Sequence, residues 1–236
     1  MTPGPQSFIP RPRIAPAMPA PPPGGPFAVL SDFDGTITTE DVAEVLLTRF
    51  APGAWEPIEA LHRARTIGTR ETMARQFALV RATREALVEA ARRDARMDPA
   101  FPGFLGFCRS RGIPFEIVSE GLDFYIEPLL EDWGLDVPVR TNRAVFGGGR
   151  VSIEYPFADP GCTLCGTCKM RRVFELRLAG HRVVYVGDGD SDLCPAVEAD
   201  VVFAKTRLAE LCDSESIPCV RFETFAEVRK AMEGWR

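Results

Sequence analysis

Short apolar runs alternate along the chain with longer segments whose apolar positions recur at helical spacing, and that alternation sets the expected architecture. Phe27-Ala28-Val29-Leu30 is a continuous apolar run that ends almost at once in Asp32, Asp34 and Gly35, the pattern of a buried strand entering a tight loop. From Glu40 to about Arg96 the period changes. Val42, Val45, Leu46 and Phe50 share one helical face behind an acidic first turn, and from Thr69 onward the chain reads as long amphipathic helices rich in Ala, Arg and Glu. The alternation then resumes. A helix over FPGFLGFCRSRG closes at Gly112, a strand follows in IPFEIVSEG, and a helix over LDFYIEPLLEDWG stops near Gly134. Two short strands form a hairpin around Gly147-Gly148-Gly149, and a helix over KMRRVFELRLAG ends at Gly180. The strand Val183 to Val186 runs into the acidic loop GDGDSD, and a strand in ADVVFAK and a helix in ETFAEVRKAMEGW complete the pattern.

Strands alternating with helices predict an α/β fold, a doubly wound parallel sheet, with a block of about 60 residues of helix inserted behind the first strand. In such sheets the working site lies beyond the carboxyl ends of the strands. The chemistry-bearing residues fall there. Asp32 and Asp34 follow one strand, Ser119 another, Asp188, Asp190 and Asp192 a third, and Lys169 opens the helix before that third strand.

Composition narrows the classes. With 236 residues and 45% hydrophobic content the chain can bury a sizeable core. Its 28 basic and 33 acidic residues give a net charge of −5 without a basic block, which argues against nucleic acid as a partner. No run of apolar residues is long enough to span a membrane. Residues 1–26 hold ten prolines that interrupt every apolar stretch, so they read as a disordered or polyproline-like tail rather than an export signal. Seven cysteines, an odd number, then fit a cytoplasmic protein with reduced thiols. The two histidines, His62 and His181, sit in no motif and read as surface or packing residues, which disfavours phosphohistidine, His-zinc and Ser-His-Asp chemistry.

Adjacent carboxylates raise one another's pKa unless a cation lies between them. An all-oxygen set of aspartates suits Mg²⁺ rather than zinc, and leaves positions for water and a substrate phosphate. Lys169 adds a positive charge and Ser119 a hydroxyl, both suited to a phosphoryl group. The chain has no Walker-A loop and no kinase motif set, so water is the expected acceptor. One aspartate can attack phosphorus and form an aspartyl-phosphate while its neighbour moves protons.

The ordered segments DFDGTIT (32–38), IVSEG (117–121), CK (168–169) and GDGDSD (187–192) resemble the four motifs of the haloacid dehalogenase-like phosphatases. The helical block resembles the cap of the phosphoserine-phosphatase-like branch. The resemblance runs from about residue 27 to 230, and implies a catalytic core over 27–39 and 98–236 with a cap over 40–97. It implies that Asp32 is the nucleophile and a Mg²⁺ ligand. Asp34 would be the general acid and base, with its backbone carbonyl on the metal. Ser119 and Lys169 would hold phosphate, Asp188 would ligate Mg²⁺, and Asp192 would support the metal through water or a second-shell bond. Asp190 matches no essential position, and Ser191 stands where many of the family have Asn. RFAPGAWEPIEA, VSEGLDFYIEPLL and the cysteine-rich run before CK are similar to a narrower group, the methionine-salvage phosphatases, which implies a methylthiopentenyl phosphate as substrate.

Rival readings bear on particular residues. Phosphoserine would need groups for its ammonium and carboxylate, such as Asp41 and Arg75. A methylthio group would need an apolar wall, for which Phe50, Trp55, Met73 and Phe77 are candidates, although all four also suit helix packing. An inactive metal-binding regulator should have lost part of the set, and here all of it is present. Cys162, Cys165 and Cys168 have a spacing suited to zinc, which would need a fourth ligand; the alternative is a loop of reduced thiols that positions Lys169. Cys108 and Cys194 read as buried small hydrophobes. A monomer and a homodimer are both compatible with the sequence.

Overall fold

The structure is a computed structural model that describes residues 25–235; the expected tail lies, apart from Gly25 and Pro26, outside the described residues. Its centre is β1 (Phe27–Ser31), whose last four residues are buried. The chain then forms α1 (Val42–Phe50), α2 (Glu56–Arg63), α3 (Thr69–Phe77) and α4 (Arg84–Asp94). After these come α5 (Phe101–Ser110), β2 (Phe115–Leu122), α6 (Asp123–Asp132), β3 (Val139–Gly147), β4 (Arg150–Glu154) and α7 (Lys169–Leu178). The remainder is β5 (Arg182–Gly187), α8 (Leu193–Glu198), β6 (Val201–Ala204), α9 (Thr206–Glu215), β7 (Val220–Arg221) and α10 (Phe225–Met232).

The strands form one sheet in the order β4-β3-β2-β1-β5-β6-β7, parallel except for the β3–β4 hairpin. From β1 the chain winds outward through β2 and β3, then returns to the other side of β1 with β5. That reversal puts the topological switch point beside β1. Register fixes what meets there. Ser31 pairs with Ile117 on one side and Val186 on the other, so Asp32, Ser119 and Asp188 all lie one or two residues beyond the same level. β2 also slips against β3 between Val118 and Leu122, which bulges Ser119-Glu120-Gly121 out at the rim.

A large apolar cluster covers one face of the sheet. Phe101, Phe104, Phe115 and Phe225 meet edge-on or tilted, with centroids 4.9–6.0 Å apart. The same cluster continues into the helical insert, where Phe77 packs edge-on against Phe124 at 6.3 Å. The insert's two ends are clipped together: Thr38 bridges Met97, Thr39 N donates to Arg96 O at 2.9 Å, and Asp98 N donates to Ile37 O at 2.9 Å.

The strands, the hairpin and most helices fall where the apolar pattern puts them, and α5, α6 and α7 each stop two residues before the marked glycine. The long helices expected from Thr69 onward are two separate pieces, α3 and α4. Thr83 caps α4 by accepting from Ala86 N at 3.3 Å, so a local side-chain bond starts the second of these helices. The elements α8, α9 and β7 lie outside the sequence-based expectations, although α9 buries Leu208, Leu211 and Cys212 at helical spacing.

Candidate active site

Asp32 leaves β1 buried, with Oδ1 accepting from Phe33 N at 2.7 Å. Lys169, the first residue of α7, reaches beneath it. Its ammonium donates to Asp32 Oδ2 at 2.5 Å, to Asp192 Oδ1 at 2.6 Å and to Ser191 Oγ at 2.9 Å. Burial opposes a charged lysine, yet the carboxylates of Asp192 and Asp32 outweigh it and hold Lys169 above its ordinary value. Asp192 is wholly buried and fully engaged. Tyr185 Oη and Lys169 both donate to Oδ1, and the backbone N–H groups of Asp188 and Gly189 donate to Oδ2 at 2.9 and 3.0 Å. Against the penalty of its burial, Lys169 keeps this carboxylate below its usual range.

Asp188 sits at the end of β5 and accepts from Thr36 Oγ1 at 2.6 Å. Burial and then the Asp192 charge push it up to about 7. The loop bearing Asp34 approaches so closely that a Cβ on Gly35, at φ 67°, would collide with the Asp188 carboxylate. Asp34 is half-buried. It accepts from Tyr125 Oη at 2.6 Å and from Val42 N at 3.1 Å, and it is raised well above the usual range by burial and then by the charge of Asp41. Asp32 is also raised, by burial first and by Asp192 next.

Oxygens of Asp32, Asp188 and Asp192 lie within 4.8 Å of one another. Raised carboxylates, oxygen-only donors and a loop pressed onto Asp188 fit a hard divalent cation such as Mg²⁺. Among the described residues this is the one group of three or more candidate ligands that converges; the sulfurs of Cys162, Cys165 and Cys168 form no such group.

Above these residues lies a cavity of about 530 Å³, floored by Asp32, Asp34, Ser119 and Asp188 and walled by the insert. Ser119 Oγ accepts from Gly121 N at 2.9 Å, which leaves its hydroxyl hydrogen available to the cavity. Leu47, Trp55 and Met73 give an apolar patch on the insert's side. Phe50 and Phe77 do not reach it, and Phe77 is core. Asp41 lines the cavity, whereas Arg75 is half-exposed and paired with Glu71. Asp190 lines the rim and pairs with Arg207 at 3.5 Å.

Several contributors were not singled out from the sequence. His62, read as a surface or packing residue, lines the cavity and lies 3.8 Å from Glu59, whose carboxyl is drawn down to about 2 by the neighbouring histidine and by hydrogen bonds from Arg63 and Gln76. Glu120 is buried and accepts from Gly166 N at 2.9 Å and Thr167 N at 3.2 Å, which fixes the turn leading to Lys169. Tyr125 and Tyr185 look like core aromatics in sequence, but each gives its hydroxyl to a site carboxylate. Thr36 was readable as part of DFDGT, although nothing in the string identifies Asp188 as its partner. Cys108 is buried as expected, and Cys194 is only half-buried.

A sequence profile, haloacid dehalogenase-like hydrolase, matches residues 29–196, and the chain belongs to that family. It is 34% identical over 206 residues to 2-hydroxy-3-keto-5-methylthiopentenyl-1-phosphate phosphatase of Brevibacillus brevis, covering 86% of this chain and 93% of the relative. It is 36% identical to the enzyme of the same name from Geobacillus kaustophilus, again over 86% and 93%. Among solved structures it superposes on a phospho-aspartyl intermediate analogue of phosphoserine phosphatase with a TM-score of 0.68 at 19% identity, covering 88% and 99% of the two chains. Among the described residues no helix is long and apolar enough to cross a membrane.

Proposed function

We propose that this chain is a Mg²⁺-dependent phosphatase that hydrolyses 2-hydroxy-3-keto-5-methylthiopentenyl-1-phosphate, the ester named for its relatives, through a covalent phosphate on Asp32. The observation that carries the chemistry is the buried Asp32 carboxylate, gripped by Lys169 at the floor of a cavity that Asp34 and Ser119 also line. In this reading residues 40–97 are the cap, and residues 27–39 and 98–236 the core.

Asp32 attacks phosphorus while Asp34, kept protonated by its raised pKa, gives its proton to the departing oxygen. Asp34, now a carboxylate, takes a proton from water. That water attacks phosphorus, the Asp32–phosphate bond breaks, and Asp32 is restored. The Ser119 hydroxyl, together with Lys169 once its ammonium exchanges one of its three present acceptors for phosphate, holds the phosphoryl oxygens through both steps. Mg²⁺ bound by Asp32, Asp188 and the Asp34 carbonyl would neutralise the carboxylates and polarise the phosphate. Asp192 keeps Lys169 and the Asp188 loop in place.

The apolar patch of Leu47, Trp55 and Met73 suits a methylthio group. Arg75, the cation considered for a phosphoserine carboxylate, is paired with Glu71 outside the cavity. The test is phosphate release with Mg²⁺ from the methylthiopentenyl ester and from phosphoserine. The expected result is preference for the former, with Asp32→Asn folded and inactive. Preference for phosphoserine overturns the substrate, and turnover by Asp32→Asn overturns the covalent step.

A further inference from the structure

The loop from Cys162 to Cys168 does more than precede Lys169. Arg70, in the first turn of α3, binds it three times: its N donates to Leu164 O at 2.9 Å, Nε to Cys165 O at 2.8 Å and Nη2 to Cys162 O at 3.0 Å. Gly68 presses against the same turn, where a Cβ would stand 2.7 Å from Leu164 Cα and O. Two residues further on, Glu120 holds Gly166 and Thr167. So seven residues seat the helical insert on one side and launch Lys169 on the other.

Within that seat two cysteines lie side by side on one turn: a single Arg70 side chain binds both their carbonyls, and the Cys162 sulfur accepts from Leu164 N at 3.4 Å. Both residues are partly exposed, and Cys165 borders a second cavity of about 100 Å³ at the seam. The neighbouring Cys165 thiol, outweighing burial and helped by the Leu164 N–H, draws the Cys162 thiol down to about 5, which favours its thiolate. The residues from Cys162 to Cys165 belong to no helix or strand, so the turn can tighten to bring the sulfurs within bonding distance.

We propose that Cys162 and Cys165 form a redox modification site, at which a small disulfide such as oxidised glutathione closes an intramolecular bond that unseats Arg70 and lowers turnover. The Cys162 thiolate attacks one sulfur of the small disulfide, forming a mixed disulfide and expelling one thiolate. The Cys165 thiol gives up its proton and attacks the Cys162 sulfur, expelling the second thiolate. Two protein thiols are oxidised, one small disulfide is reduced to two thiols, and the proton ends on a released thiol. A disulfide draws together the peptide groups whose carbonyls Arg70 now binds, and the strain passes to Gly166, Thr167 and Lys169.

The full chain is equilibrated in glutathione buffers from reducing to oxidising. Peptide mapping without reductant, amide exchange over residues 68–72 and phosphate release are then measured. The expected result is a reversible Cys162–Cys165 link, faster exchange at Arg70 and a fall in turnover of about 10- to 100-fold. Cys162→Ser and Cys165→Ser should each keep their reduced-state turnover in oxidising buffer. The proposal is overturned by a link between other cysteines, by the predicted link with unchanged exchange, or by about one zinc per native chain with these thiols blocked. Mapping and exchange need no substrate, so they decide this site even if the phosphatase reading fails.

Discussion

Replacing Lys169 by methionine keeps the length of the side chain and removes its charge. In the structure the ammonium contacts Asp32 Oδ2 at 2.5 Å and Asp192 Oδ1 at 2.6 Å, with the lysine side chain 1% exposed and that of Asp192 0%. Stripping one partner from a buried pair costs about 3–5 kcal/mol, because the remaining charge stays desolvated. At about 2–4 °C per kcal/mol for a domain of this size, the melting temperature should fall by about 6–20 °C in chelator. The sign of the pH dependence follows. Without the ammonium Asp32 rises further and Asp192 loses what holds it low, and protonation relieves them, so the deficit is largest at pH 8 and shrinks toward pH 5. Turnover should drop about 10²- to 10³-fold, the cost of removing a fixed donor from developing phosphoryl charge. Thermal unfolding of both proteins across that pH range, with parallel phosphate release, reads all three. A variant that melts with the native protein at pH 8, or whose deficit grows as the pH falls, would refute the reasoning.

Other perturbations probe separate parts of the site. Gly35→Ala should cost about 2–4 kcal/mol in denaturant unfolding, from the left-handed backbone and the collision with Asp188, and turnover should fall with it. Because Asp188 is raised to about 7, protons compete with Mg²⁺ there; calorimetric affinity should weaken up to about tenfold per pH unit below 7 and level off above it. Glu120→Ala strips the acceptor from Gly166 and Thr167, and should lower kcat by about tenfold or more as Lys169 loses its fixed position, with thermal unfolding run beside it. Trp55→Ala should raise KM for the methylthiopentenyl ester by about tenfold while phosphate release at saturation changes little.

The alternation of apolar runs and helical periods was enough to place the central strands and the carboxylates at their ends. A strand buried on both faces must be continuously apolar, and polar residues can return only where the strand stops. Asp32, Asp34, Ser119 and Asp188 were therefore legible as one rim, and Lys169 as a neighbour of that rim. Their chemistry was legible too, because close carboxylates with no histidine among them call for a hard cation. The sequence also carried family membership, since the four segments are short, ordered and widely spaced.

Packing decided the rest. Which carboxylate Lys169 grips, and that Asp192 is saturated by Tyr185 and two backbone amides, depends on contacts between residues far apart in the chain. The hydroxyls of Tyr125 and Tyr185 could not be told from ordinary core aromatics, because apolar periodicity registers the ring and ignores the oxygen. His62 faces the cavity only because α2 folds over the sheet, and a lone histidine on a helix carries no such direction in its sequence. The cysteine spacing left open a metal site or a loop of reduced thiols that positions Lys169; only the fold shows that Arg70 binds the backbone of two of these cysteines. Local pattern is set by what each segment must bury, and it is readable in one dimension. Partner choice is set by which loops the sheet's register brings together, and that exists only once the chain has folded.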